Sequence, residues 1–143
     1  MRENALWRKI RGPLGQHLDL QRVESPITPG LPDVNYCSGQ GVEGWIELKS
    51  GDQPVRAATP VFKSQHGVSP AQVEWLVRRR RLGGRAWIMV KVGDHLLLLD
   101  GAIAPAFNDL PLGALIESAT WSGGKRLDKG DWGRLGAILA PPI

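Results

Sequence analysis

Gly30-Leu31-Pro32-Asp33, then thirteen residues, then Trp45-Ile46-Glu47-Leu48-Lys49 is the stretch that decides how this chain is read. A strand alternates its side chains between two faces. Ile46 and Leu48 therefore point into a core, and Glu47 and Lys49 stand side by side on the opposite face. Charges in a strand bounded by Trp, Ile and Leu are costly unless they are paired or coordinate something. If Asp33 ends the neighbouring strand, two carboxylates meet with an ammonium beside them. That set suits a hard divalent cation. The plainer account is a salt bridge between Lys49 and a carboxylate, with Pro-Asp marking a turn.

A cation such as Mg²⁺ takes oxygen ligands and keeps several waters. Asp33 and Glu47 supply carboxylates, and Leu48, lying between the two functional side chains, supplies its backbone carbonyl. Such an ion acidifies water and neutralises charge developing on a phosphate, which equips a site for phosphodiester hydrolysis. Lys49 cannot ligate while protonated. It would orient or help deprotonate the attacking water, or stabilise the transition state. A third carboxylate is expected at Glu24, where the first strand ends, ahead of Glu43 and Asp52 nearer turn tips. The competing account of Glu24 is a surface residue paired with Arg22.

Working outward, residues 18–24, 33–37 and 42–49 read as an antiparallel meander. A short helix over 4–11 precedes it, with Ala5, Trp7 and Ile10 as its apolar surface and Gly12-Pro13 as its stop. The polar stretch 51–68, with Arg56, Lys63, Gln65 and His66, is expected to be a mobile loop beside the site. Ser69-Pro70-Ala71-Gln72 opens the clearest helix, with an N-cap, Pro in the first turn and a capping box. Val73, Leu76 and Val77 form its stripe, and Gly83-Gly84 end it. Residues 86–92 and 95–99 form a hairpin about Gly93-Asp94. Beyond it, 110–119 reads as a helix, 122–130 as a Gly- and Lys-rich loop and 131–139 as a last short helix.

The 143 residues favour one domain, with a core at about 18–100 and a C-terminal extension over 101–143. The net charge of +4 and pI near 9.6 are compatible with nucleic acid and equally with ordinary solubility. The single Cys37 excludes an internal disulfide and fits a reducing compartment. Met1-Arg2-Glu3-Asn4 lacks the apolar run of a signal peptide, and Leu96 to Leu99 is too short to span a membrane. A cytoplasmic protein is expected, in host cytoplasm if phage-encoded. His17, His66 and His95 are scattered without zinc-ligand spacing, and Trp121-Ser-Gly-Gly-Lys125 lacks the spacing of a P-loop.

The motif order resembles the PD-(D/E)xK nuclease superfamily, and within it the VRR-NUC and phage Holliday-junction-resolvase-like proteins. The residues carrying the resemblance are Arg22-Val-Glu24, Gly30-Leu-Pro-Asp33-Val-Asn, Gly44-Trp-Ile-Glu-Leu-Lys49 and Ser69-Pro-Ala-Gln72-Val-Glu-Trp75-Leu. They cover roughly residues 18–92. The resemblance implies an α/β, restriction-endonuclease-like core: a mixed central β-sheet of about five strands flanked by helices. It implies cleavage of DNA dependent on Mg²⁺ or Mn²⁺. Asp33 and Glu47 match the metal-binding acids, Lys49 the catalytic lysine, Glu24 the upstream acid and Gln72 a glutamine on the helix beside the site. The long 51–68 stretch departs from the pattern, and the last fifty residues carry no matched motif.

The expected partner is DNA. Arg78-Arg79-Arg80-Arg81 face every direction of a helix turn and read either as a phosphate clamp or as a solvated, dipole-favoured helix end. Arg56 and Lys63 are further candidates, followed by Lys125, Arg126 and Lys129. The six Trp are expected in the core, with Trp7 or Trp121 as candidates to stack on an unpaired base. A structure-selective endonuclease on branched DNA, a less selective or sequence-specific nuclease, and a non-catalytic DNA-binding protein all remain open. A homodimer would match the two-fold symmetry of a four-way junction, with the segment 96–107 or the N-terminal helix as its face. No membrane and no small-molecule cofactor are expected.

Overall fold

Leu6, Ile10 and Leu14 fall four residues apart on one helical stripe, and all three are fully buried. That stripe carries the first helix, α1 (Arg2–Gly15), past the stop expected at Gly12-Pro13. Full burial of a leucine is worth about 1.5–3 kcal/mol, the same order as the helix penalties of Gly and Pro. The apolar surface is accordingly Leu6, Ile10 and Leu14, while Ala5 is exposed. The structure, a computed structural model, describes residues 2–25, 27–63 and 66–143.

Six strands follow: β1 (Asp19–Arg22), β2 (Val34–Cys37), β3 (Glu43–Gly51), β4 (Ala86–Val92), β5 (His95–Asp100) and β6 (Trp121–Gly123). They lie side by side in chain order. Every pair is antiparallel except β3 with β4, which is parallel. A parallel pair needs a crossover, and helix α2 (Pro70–Arg81) lies within it. The mixed sheet flanked by helices is therefore present, with six strands rather than five. The added strand, β6, opens the stretch expected to be a loop. Trp121 is drawn into the core opposite Leu98, and three paired residues are enough to extend the sheet.

Alternation along the central strands builds two cores. Ile46, Leu48, Trp87, Met89, Leu96 and Leu98 meet α1 and helix α5 (Lys129–Leu139) on one face. Ile88, Val90, Leu97 and Leu99 meet α2, helix α3 (Ala104–Phe107) and helix α4 (Leu112–Ser118) on the other. The helix expected over 110–119 is α4, trimmed to Leu112–Ser118, and the short α3 precedes it across a turn at Asn108 and Asp109. Trp121, Trp132, Leu135 and Leu139 share a core with the N-terminal helix. The segment 96–107 places Leu96 to Leu99, Ala104 and Phe107 inside the molecule and leaves Ala102, Pro105 and Ala106 exposed.

The segment 51–68 is tied to the rest of the molecule at Phe62 and Val68. Phe62 is fully buried and stacks on Phe107 at 4.9 Å between ring centroids. Asn108 brackets Val68, accepting from its N–H at 2.8 Å and donating to its carbonyl at 2.9 Å. Gln65, expected in that loop, lies outside the described residues.

A buried polar link ties α5 to the sheet. The Tyr36 hydroxyl donates to the Leu139 carbonyl and accepts from Trp87 Nε1 at 3.0 Å. Burial pushes Tyr36 up to about 12. Gly44 is required beside it, since a Cβ there would collide with the Tyr36 hydroxyl. Tyr36→Phe leaves a buried donor and a buried acceptor unpaired. We expect it to destabilise the fold by about 1–3 kcal/mol, read by thermal or urea unfolding.

Candidate active site

The site forms where β2 stops and β3 runs on. The last β2–β3 partners toward this end are Val34 and Ile46, so Leu48 projects its N–H past the end of β2. The chain turns away there, and Asp33 fills the vacancy. Its Oδ2 accepts from the Leu48 N–H at 2.8 Å. Trp45 donates its N–H to the Arg85 carbonyl, just before β4. Odd residues of β3 thus face β4 with their backbone, and even residues face the notch. A residue in a strand sends its N–H and C=O to the same edge, so the Leu48 carbonyl opens toward Asp33.

Glu47 and Lys49 point to the α2 side and are almost fully buried, at 2% and 7% exposure. Lys49 Nζ lies 3.5 Å from Glu47 Oε2. The same oxygen accepts from Gln72 Nε2 at 3.0 Å. Gln72 also closes the capping box of α2, its Oε1 accepting from the Ser69 N–H at 2.9 Å while its own N–H meets the Ser69 hydroxyl. One amide therefore holds the helix start and the Glu47 carboxylate together. Gly30 makes this approach possible. Its φ is +78°, and a Cβ would collide with the Ala71 carbonyl in the first turn of α2.

Glu47 Oε1 is buried and has no hydrogen-bond partner. Burial, and then the Asp33 carboxylate, push Glu47 up to about 8 against the opposing pull of Lys49. An orphaned carboxylate oxygen next to a second carboxylate is the arrangement a hard cation would relieve. Asp33, Glu47 and the Leu48 carbonyl fit such an ion.

The cavity these groups share measures about 300 Å³ and is completed by Asn4 and Arg22. Neither was singled out in the sequence as a site residue. Arg22 lies against the Trp7 ring at 5.8 Å and donates from Nη2 to Asn4 Oδ1 at 3.4 Å. Its Nε and Nη1 are buried without a hydrogen-bond partner. Two orphaned cationic donors in a cavity that also holds Lys49 suit an anion.

Glu24 does not join this cluster. β1 ends at Arg22, two residues earlier, and Glu24 is exposed outside the cavity. Among the described residues no three His, Cys, Asp or Glu side chains converge. Glu43 sits at the opposite end of β3, exposed.

The four arginines of α2 have separate fates. Arg80 makes a fork with Asp100, at 2.8 Å from Nε and 3.1 Å from Nη2, and donates from Nη1 to the Gly84 carbonyl. Arg79 lies on the Trp75 ring at 4.4 Å. Arg78 meets Glu74 at 3.5 Å on the surface, and Arg81 is exposed. They do not form one clamp, and Arg80 is a structural tie. We expect Arg80→Ala to cost about 1 kcal/mol of stability and to leave the salt dependence of DNA binding unchanged. Melting curves and a salt titration of binding check both halves. Arg56 and Lys63 are exposed and do not line the cavity. Trp121 is buried, so it cannot stack on a base. The half-exposed tryptophans are Trp7, Trp45 and Trp75.

No family model matches the chain, and no curated protein matches it. Among solved structures it is similar to Hjc of Archaeoglobus fulgidus, described as a Holliday junction resolvase from an archaeal hyperthermophile. Identity is 20%, the match covers 71% of this chain and 74% of that one, and the TM-score is 0.49. Among the described residues no helix is long and apolar enough to cross a membrane.

Proposed function

We propose that the protein is a divalent-metal-dependent endodeoxyribonuclease of the PD-(D/E)xK type, close to the VRR-NUC and resolvase-like proteins, acting on branched DNA such as four-way junctions. The observation that carries the reading is the orphaned Glu47 Oε1, set beside Asp33, the Leu48 carbonyl edge and Lys49 in one cavity.

Asp33, Glu47 and the Leu48 carbonyl would hold Mg²⁺ or Mn²⁺. When bound, the ion acidifies water and neutralises charge on the phosphate. Gln72 fixes one oxygen of Glu47 and so leaves Oε1 for the ion. Lys49 sits beside that carboxylate, placed to orient water and to meet charge as it develops on the phosphate. Arg22, with two unpartnered donors, aligns the phosphate from the α1 side. With Glu47 ionised on a divalent ion, the charged side chains and the ion together carry net positive charge, which suits an anionic substrate.

Branch selectivity is the finer part of the proposal: a four-way junction has two-fold symmetry and needs two symmetric incisions. A homodimer would present two sites, with the outer side of α1 or the exposed part of 96–107 as its face. Exposed Arg78, Arg81, Arg56 and Lys63 would meet phosphates further out.

The test is cleavage of a synthetic four-way junction, a matched duplex and a single strand, each with Mg²⁺, Mn²⁺ or chelator. Paired, metal-dependent incision of the junction alone supports the full proposal. Equal cutting of all three keeps the nuclease and removes branch selectivity. Tight junction binding with no cutting replaces it with a non-catalytic binding protein.

A further inference from the structure

Gln21, Asn35 and Trp45 form one cross-strand row over β1, β2 and β3. Cross-strand partners share a face, and Trp45 alternates with Glu47, so the row lies on the face that carries the site. On the opposite face this half of the sheet is covered by α1, whereas α2 is packed over β4. Gln21 is exposed, and Asn35 and Trp45 are half-buried. A shelf is left open there, bounding a cavity of about 400 Å³ that Arg79 and Arg85 also line. That is large enough for a small ligand.

The wall of the shelf is a fixed stack. Trp75 meets Trp45 edge to face, 5.5 Å between centroids. The Arg79 guanidinium lies on Trp75 at 4.4 Å and stands 6.0 Å from Trp45. A guanidinium placed over a ring face can still offer N–H groups to a phosphate. Neither Arg79 nor Arg85 makes an ion pair with a described carboxylate. Two residues along a strand span about 6.6–6.8 Å, so Trp45 stands about one nucleotide from Glu47.

We propose that this shelf is a nucleotide subsite. It takes one unpaired nucleotide next to the scissile phosphate, its base stacked on Trp45 and its phosphate held by Arg79 and Arg85. Base–aromatic stacking is tolerant of sequence, so the subsite would select an unpaired base rather than a particular one. Its place depends on the nuclease reading, because the scissile phosphate defines which nucleotide the shelf meets.

The test is a cycle between protein and substrate. Cleavage of a junction with Mg²⁺ first maps the cut. Junctions carrying one abasic nucleotide on either side of it are then bound in Ca²⁺ to wild type, Trp45→Ala and Trp45→Phe. For one of the two positions, the abasic change should weaken wild-type binding roughly 5- to 100-fold. It should cost Trp45→Ala less than about twofold and Trp45→Phe nearly the wild-type amount. Arg79→Ala and Arg85→Ala should each lower the slope of log affinity against log salt by about 1. Mapped cleavage with the same abasic penalty in Trp45→Ala as in wild type overturns the subsite and leaves the nuclease reading standing. Absence of any metal-dependent cut removes both.

Discussion

Lys49→Ala is expected to lower the cleavage rate by about 10²–10⁴-fold, the range for losing a group that moves or holds a proton at the reacting atoms. Lys49 is 7% exposed and 3.5 Å from Glu47, so its ammonium has no substitute from solvent. The loss should fall in kcat more than in KM, because Arg22 and the outer arginines remain to bind DNA. Lys49→Arg keeps the charge but not the compact ammonium, and should recover little. Single-turnover cleavage, with melting temperatures for each variant, separates this from misfolding. Retention of more than about a tenth of wild-type rate by a folded Lys49→Ala protein would remove Lys49 from the chemistry.

The metal-free protein should lose stability as pH rises from about 4.5 to about 8. The sign follows from the Glu47 shift. Its folded-state value is raised to about 8, so the folded protein holds the proton more tightly than the unfolded chain. Below about 4.5 both states are protonated and no penalty exists. Between the two values the unfolded chain gives up its proton and the folded one keeps it, at about 1.4 kcal/mol per pH unit. The total is on the order of 3–5 kcal/mol, levelling off above about 8. Glu47→Gln should abolish most of this slope and be more stable than wild type at pH 8 in chelator. Mg²⁺ should restore wild type at high pH, with proton release on binding. Urea unfolding across pH, with and without chelator, reads all three. A flat wild-type profile in chelator would contradict the buried, crowded carboxylate.

Local pattern carried much of the fold. The capping box at Ser69 and Gln72, the Gly93-Asp94 hairpin and the alternation of Ile46 and Leu48 with Glu47 and Lys49 are short-range signals. Each appears where the sequence places it. What escaped depends on contacts distant in the chain. α1 runs through Pro13 because Leu14 finds a core assembled from β-strands and α5. β6 is three residues long, too short for any period, and exists because Leu98 offers it an edge.

The site divides the same way. Asp33, Glu47 and Lys49 came from spacing and Gln72 from the resemblance, and the four lie together. Arg22 and Asn4 reach the cavity from β1 and α1, and only the notch at the end of β2 brings those elements to it. Glu24 was expected from its place at a strand end, but the strand ends two residues sooner. The run of four arginines is uniform in sequence, yet Asp100 claims Arg80 and Trp75 claims Arg79, twenty residues ahead and four residues back.

We propose that Asp33 and Glu47 make a catalytic metal centre. Its most direct test is cleavage of a labelled four-way junction by wild type and Asp33→Asn in Mg²⁺, in Mn²⁺ and in chelator. The Asn variant keeps the shape of Asp33. Its neutral amide is a poorer cation ligand. We expect cutting by wild type with either ion, none with chelator, and loss of at least about 10²-fold in the variant. Cutting that persists in chelator, or that Asp33→Asn leaves intact, would contradict it.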